Sequence, residues 1–227
     1  MKKILWIAFF GVLFSACKKD DEETVPTNSG IVEVRITNVV NDAPIESGVF
    51  NYENALGETY SINLLKYYLS NATLISSDGS EVPFANYTLV DGFASSGNSF
   101  TACVPNGNYT QLKCSVGVDS EHNHSGDQEG DLDPINGMLW TWSTGYIFFK
   151  HEGQFIDSND EVQELLYHFG TDAAYTQFTL PINLTVDSSN KIVNLQFDLA
   201  ALYDAMHQIQ FEGNNFHQSI AAEDAVW

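Results

Sequence analysis

Residues 31 to 40 read IVEVRITNVV, and in this run Val32, Val34 and Ile36 alternate with polar neighbours. A period of two puts successive side chains on opposite faces of an extended chain, so the run predicts a half-buried β-strand. Similar runs recur along the chain. TYSINLLKYYLSNATLISSDGSEVPF (59 to 84) holds one or two strands broken by the turn SSDGS. SFTACV and YTQLKCSVGV flank Asn106-Gly107, and TQFTLPINLTVDSSNKIVNLQFDL (176 to 199) divides around DSSN. Helical periodicity is scarce. DLAALYDAMHQI (198 to 209) is the best helix candidate, with Asp198 as its N-cap. Short strands separated by turn signals predict an all-β, β-sandwich-like single domain with long loops and a short helix near the C-terminus.

The amino terminus has a different composition. MKK is followed by the apolar ILWIAFFGVLFSA and then Cys17. A basic start, an apolar run too short to span a bilayer and a small-residue end make a secretory signal. The cysteine placed directly after it resembles the lipidated first residue of bacterial lipoproteins. KKDDEETVPTNSG cannot fill a core and reads as a tether. The expected organisation is therefore a signal peptide over 1–16, an acidic tether over 17–30 and a folded domain over 31–227. The expected location is the outer membrane, held by a lipid on Cys17 and exposed to the cell surface. A net charge of −21 excludes nucleic acid as a partner and favours cations.

Beyond Cys17 the cysteines are Cys103 and Cys114. A hairpin turning at Asn106-Gly107 would put Cys103 opposite Thr110, leaving Cys114 about 13 Å along the strand. That is too far for a bridge without a bulge, whereas an oxidising compartment favours one, and the bond stays open. The polar stretch GVDSEHNHSGDQEGDLDPIN (117 to 136) is too long for an ordinary connection. Its Asp119, His122 and His124 form a candidate metal loop: oxygen ligands for calcium, or imidazoles for copper or zinc if an extended backbone puts both histidines on one face. A solvated acidic loop is the plainer reading. No hydrolase or nucleotide-binding motif occurs, and the chain reads as non-enzymatic. In GMLWTWSTGYIFFKHEG (137 to 153), Trp140, Trp142, Tyr146 and Phe148 would share one strand face, with Gly145 marking a bulge or a close backbone approach. Packing accounts for such a row, and the two tryptophans also suit sugar stacking.

Several of these segments carry a resemblance. GVDSEHN, GDLDPINGM and LWTWSTGYIFFKHEG, together with the Tyr-x-x-Ser-Asn run at Tyr67 to Asn71, VPNGNYTQLKCSVGVD and YHFGT, are similar to the MbnP-like family. The resemblance implies a secreted β-protein that binds copper, in which a tryptophan is oxidised to kynurenine by a di-haem, cytochrome c peroxidase-like (MbnH-like) partner. It points to Trp140 or Trp142 as the modified residue. It points to His168 of the His-x-Gly sequence as a ligand, with His217 or His207 as a second. The alternative is a non-enzymatic β-sandwich that binds calcium or another ligand without copper.

Overall fold

The computed structural model describes residues 28–126, 128–204 and 208–219. Cys17 and His207 lie outside them. In chain order the strands are β1 (Ser29–Val40), β2 (Ala43–Pro44), β3 (Tyr52–Glu53), β4 (Thr59–Ser76), β5 (Glu81–Asp91), β6 (Ser99–Pro105) and β7 (Gly107–Val116). After the short helix α1 (Ser120–Asn123) come β8 (Leu139–Thr141), β9 (Gly145–Ile156), β10 (Val162–Gly170), β11 (Thr176–Val186) and β12 (Lys191–Asp198). Helix α2 (Leu199–Asp204) and β13 (Phe216–Ser219) complete the set.

The strands form two sheets. One has four strands, with β1 between β12 on one side and β6 and β2 on the other. The other has nine, ordered β11-β7-β4-β9-β10-β13, with β3 and β5 also on β4 and β8 on β9. The domain is thus the expected all-β sandwich with a short helix. Val32, Val34 and Ile36 of the first sheet and Tyr67, Leu69, Phe149 and Phe169 of the second lie in one buried core. Asp198 caps α2, its Oδ1 accepting from the Ala200 amide at 3.0 Å. β1 starts at Ser29, two residues inside the expected tether, because Ser29 and Gly30 pair with Pro105 and Val104.

The predicted hairpin at Asn106-Gly107 does not form. β6 pairs with β1, whereas β7 pairs with β4 and β11, so the chain changes sheets across Asn106. Neither Asn106 nor Gly107 has the positive φ that a two-residue hairpin turn requires. Cys114 is buried and free, so no bond joins it to Cys103. Burial pushes its thiol up to about 11.

The nine-stranded sheet has a second, smaller core on its outer face. Tyr68 and Phe148, neighbours of the inward Tyr67 and Phe149, point outward and pack with Val118, Leu132, Met138 and Tyr146. The polar stretch that follows β7 is therefore a folded cover, pinned by a few apolar residues.

Candidate functional site

The cover is fastened to the sheet through Asn71. In β4 the inward positions run Tyr67, Leu69, then Ala72, Leu74, because β4 bulges against β7 between Ser70 and Thr73. Asn71 takes up a left-handed conformation, φ 52°, which asparagine tolerates better than most residues. A bulge of this kind re-aims a side chain. Here it aims the Asn71 amide at Asp119 Oδ2 (3.1 Å) and at the Tyr175 hydroxyl (2.9 Å). The Tyr67 to Asn71 sequence thus combines an inward tyrosine with an outward anchor.

Asp119 also caps α1, accepting from the His122 amide at 3.2 Å, while His122 Nδ1 lies 2.8 Å from the same oxygen. The Tyr87 hydroxyl donates to its other oxygen. Burial pushes the Asp119 pKa up, but the bonds from Tyr87, His122 and Asn71 outweigh it and hold the carboxyl well below the usual carboxylate range. The backbone at His122 is helical, not extended, so His122 and His124 point roughly 200° apart around the axis. His124 Nε2 turns instead to Asp172 Oδ1, at 3.2 Å. The structure thus joins Asp119 to His122 and directs His124 elsewhere. Among the described residues no three histidine, cysteine or carboxylate side chains converge in a group able to hold a metal.

The tryptophan segment is a hairpin rather than one strand. β8 ends at Thr141, a turn occupies residues 142 to 144, and β9 begins at Gly145 with φ 90°. The turn separates the two tryptophans: Trp142 is 52% exposed, and Trp140 packs against the outer core. Gly145 is a close approach, as expected. An added Cβ there would sit 2.3 Å from Asn123 Oδ1, the atom that accepts from the Tyr146 amide at 2.7 Å. The other end of Asn123 donates to Asp172 Oδ1 at 2.8 Å, tying α1 to the end of β10.

Trp140 lies on Gly170. A Cβ at Gly170 would be 2.5 Å from the indole ring and 2.5 Å from the Tyr146 carbonyl oxygen. The indole Nε1 is buried and has no hydrogen-bond partner, and the same holds for Thr171 Oγ1 beside Gly170. Two residues earlier on β10, His168 is 9% exposed, with Nε2 at 3.0 Å from Glu152 Oε1. Its Nδ1 lies 3.5 Å from Gln218 Nε2. Burial lowers the His168 pKa, Glu152 opposes that, and Lys150, 3.3 Å from Glu152, adds to it. The His-x-Gly sequence therefore places His168 two residues from the glycine on which the ring rests. Gly170→Ala is expected to expel the ring, costing about 2 kcal/mol of stability, with tryptophan fluorescence shifting to the red. Urea unfolding followed by both signals measures this.

His217 is not brought beside His168. The parallel register pairs Tyr167 with His217 and His168 with Gln218, which puts the two histidines on opposite faces of the sheet. The His217 ring lies instead 5.4 Å from inward-facing Phe169, tilted by 48°. Glu152, Asn71, Asn123 and Gly170 form contacts that residue-by-residue reading missed. All four lie inside quoted segments, but only Gly170 belongs to a pair, His-x-Gly, that the sequence reading singles out.

The sequence model of the MbnP family matches residues 29–221. Among solved structures, MbnP from Methylosinus trichosporium has a similar fold, with a TM-score of 0.50 and 17% identity over 78% of each chain. No curated protein matches the chain. The match to the family spans both sheets, the cover and the Trp140–Gly170–His168 constellation, and this chain belongs to the MbnP family.

Proposed function

We propose that this protein is a non-enzymatic copper-binding lipoprotein of the cell envelope, anchored through Cys17, in which His168 is a ligand and Trp140 is the tryptophan converted to kynurenine. The observation that carries this reading is the seat of Trp140 on Gly170, two residues from His168, with its indole N–H buried and unpartnered. An indole N–H is a donor only and cannot ligate. Conversion to kynurenine adds one oxygen, removes one ring carbon and leaves an aniline nitrogen that can ligate. The oxidising equivalents come from a di-haem peroxidase-type partner. Trp142 is held in an exposed turn instead. Copper would supply a soft centre suited to nitrogen donors. Glu152 fixes the orientation of the His168 ring, as carboxylates do for metal-binding imidazoles. His207 is the remaining histidine of the expected ligand set.

Two measurements test this. Protein from its native host is expected to carry one added oxygen and one lost carbon on the peptide containing Trp140, read by intact mass and fragmentation. His168→Ala in that protein is expected to weaken copper binding at least about tenfold. Unmodified Trp140 together with unchanged affinity in His168→Ala would sink the reading. Melting that responds to calcium and ignores copper would favour the calcium-binding alternative.

A further inference from the structure

A second chemical pair lies inside the sandwich, away from the cover. His151 of β9 is fully buried, and its Nδ1 is in close hydrogen-bond contact with the hydroxyl of Tyr203 on α2, itself 1% exposed. His151 Nε2 has no partner. Two tautomers are available to the pair. If the phenol donates to Nδ1, one polar group is left unmet, the N–H at Nε2. If Nδ1–H donates to the phenol oxygen, two are left unmet: the phenol hydrogen and the Nε2 lone pair. Unmet buried groups are costly, so the phenol donates and His151 is neutral with Nδ1 as its acceptor. Burial agrees, pushing the His151 pKa down to about 3.

Few tyrosines here have such a partner. The hydroxyls of Tyr67, Tyr68, Tyr109, Tyr146 and Tyr167 donate to amide oxygens, which are poor bases. Tyr87 donates to Asp119 near the surface. The distinction matters for oxidation. Removing an electron from a phenol turns it into a strong acid. In a site without water, the electron leaves readily only if a base is in place to take the proton.

The rings around the pair are also continuous. Tyr203 lies 5.9 Å from Tyr167, Tyr167 is stacked 6.0 Å from Phe169, and Phe169 lies 5.4 Å from the half-buried His217 at the sheet edge. Tyr60 lies 5.8 Å from Tyr203 on another side. An aromatic path thus joins the surface to the buried phenol.

We infer that Tyr203 and His151 form a redox-active pair that takes up one oxidising equivalent. An outer-sphere one-electron oxidant, such as a high-valent haem or a photogenerated Ru(III) complex, removes an electron from Tyr203. The O–H bond breaks, its proton passes to His151 Nδ1, and a neutral phenoxyl radical stands beside an imidazolium. Return of the electron returns the proton. The function is temporary storage of an oxidising equivalent in the core, in a chain whose outer face carries an oxidisable tryptophan. It does not rest on copper binding and survives if the copper reading fails.

The test uses the full chain without copper, oxidised by flash-quench with tris(bipyridine)ruthenium(II) and read by electron paramagnetic resonance. The parent is expected to give a tyrosyl signal, absent in Tyr203→Phe and unchanged in Tyr87→Phe. His151→Gln is expected to slow tyrosine oxidation on the order of a hundredfold. A tyrosyl signal that persists in folded Tyr203→Phe, or is lost only in Tyr87→Phe, overturns the proposal. Should the core variants fail to fold, the parent decides: high-field spectra in light and heavy water must show one strongly hydrogen-bonded phenoxyl oxygen. A radical without that coupling, or none on tyrosine, refutes it.

Discussion

Gly153→Ala is expected to be the most damaging single-methyl addition to this fold. Gly153 sits in β9 between Ile62 of β4 and Leu165 of β10, in the middle of the larger sheet. An added Cβ would lie 2.0 Å from the Ser61 carbonyl oxygen and 3.0 Å from its carbon. Both atoms are backbone, so no rotamer change relieves the clash. The β4–β9 ladder must open or the strands must shift, at about 3 kcal/mol or more, the upper range for overpacking. The same Cβ falls 3.3 Å from His151 Nε2, so the Tyr203 contact is disturbed as well. Urea unfolding should show the midpoint fall with an unchanged slope. Gly79→Ala makes the control: its φ is 89° but an added Cβ meets nothing, and about 1 kcal/mol is the expected cost. Equal losses in the two variants would rule out the backbone clash as the cause.

Asp119→Asn is expected to loosen the cover. Asp119 accepts from Asn71, Tyr87 and His122. An asparagine amide turns one accepting oxygen into a donor and sets it against those donors, and the loss is about 2–3 kcal/mol. The pH dependence has a definite sign. The folded-state pKa is depressed below the unfolded value. The stabilisation is therefore fully present above the unfolded pKa of about 4 and is lost as pH falls through the folded value. Thermal melts from neutral to strongly acidic pH should show the parent losing stability as acid is added, with the difference from Asp119→Asn narrowing. A constant gap at all pH values would remove the carboxylate from the account.

Much of the fold was legible because alternation is a strong signal where one face is buried. Val32, Val34 and Ile36 point inward as their spacing predicts. Pairing was less legible. Asn106-Gly107 carries a strong local hairpin signal, yet β1 claims β6, while β4 and β11 claim β7. Long-range pairing overrode turn chemistry. The even-numbered aromatics from Trp140 to Phe148 looked like one row because periodicity cannot see a turn inside it. Tyr146 and Phe148 do point into the outer core, and Trp142 does not. In the candidate site, His168 and Trp140 are named from the sequence, but Gly170, the glycine on which the indole rests, appears there only as part of a motif. His151 lies in the quoted run GMLWTWSTGYIFFKHEG but carries no motif of its own. The alternation Phe149, His151, Gly153, Phe155, all buried, was the available clue that it faces the core.

The parallel pairing of β1 with β12 joins Val32 to Lys191 and Val39 to Asp198. The first strand of the domain pairs early with β2 and β6 on one side, but its other edge is covered only when nearly all of the chain is available. Loop-closure entropy makes such high contact order slow to fold. A fragment ending before residue 191 leaves one edge of β1 uncovered, an open template for other strands. Early termination therefore yields a chain prone to aggregate rather than a smaller stable domain, and the two ends of the fold must be made, and kept, together.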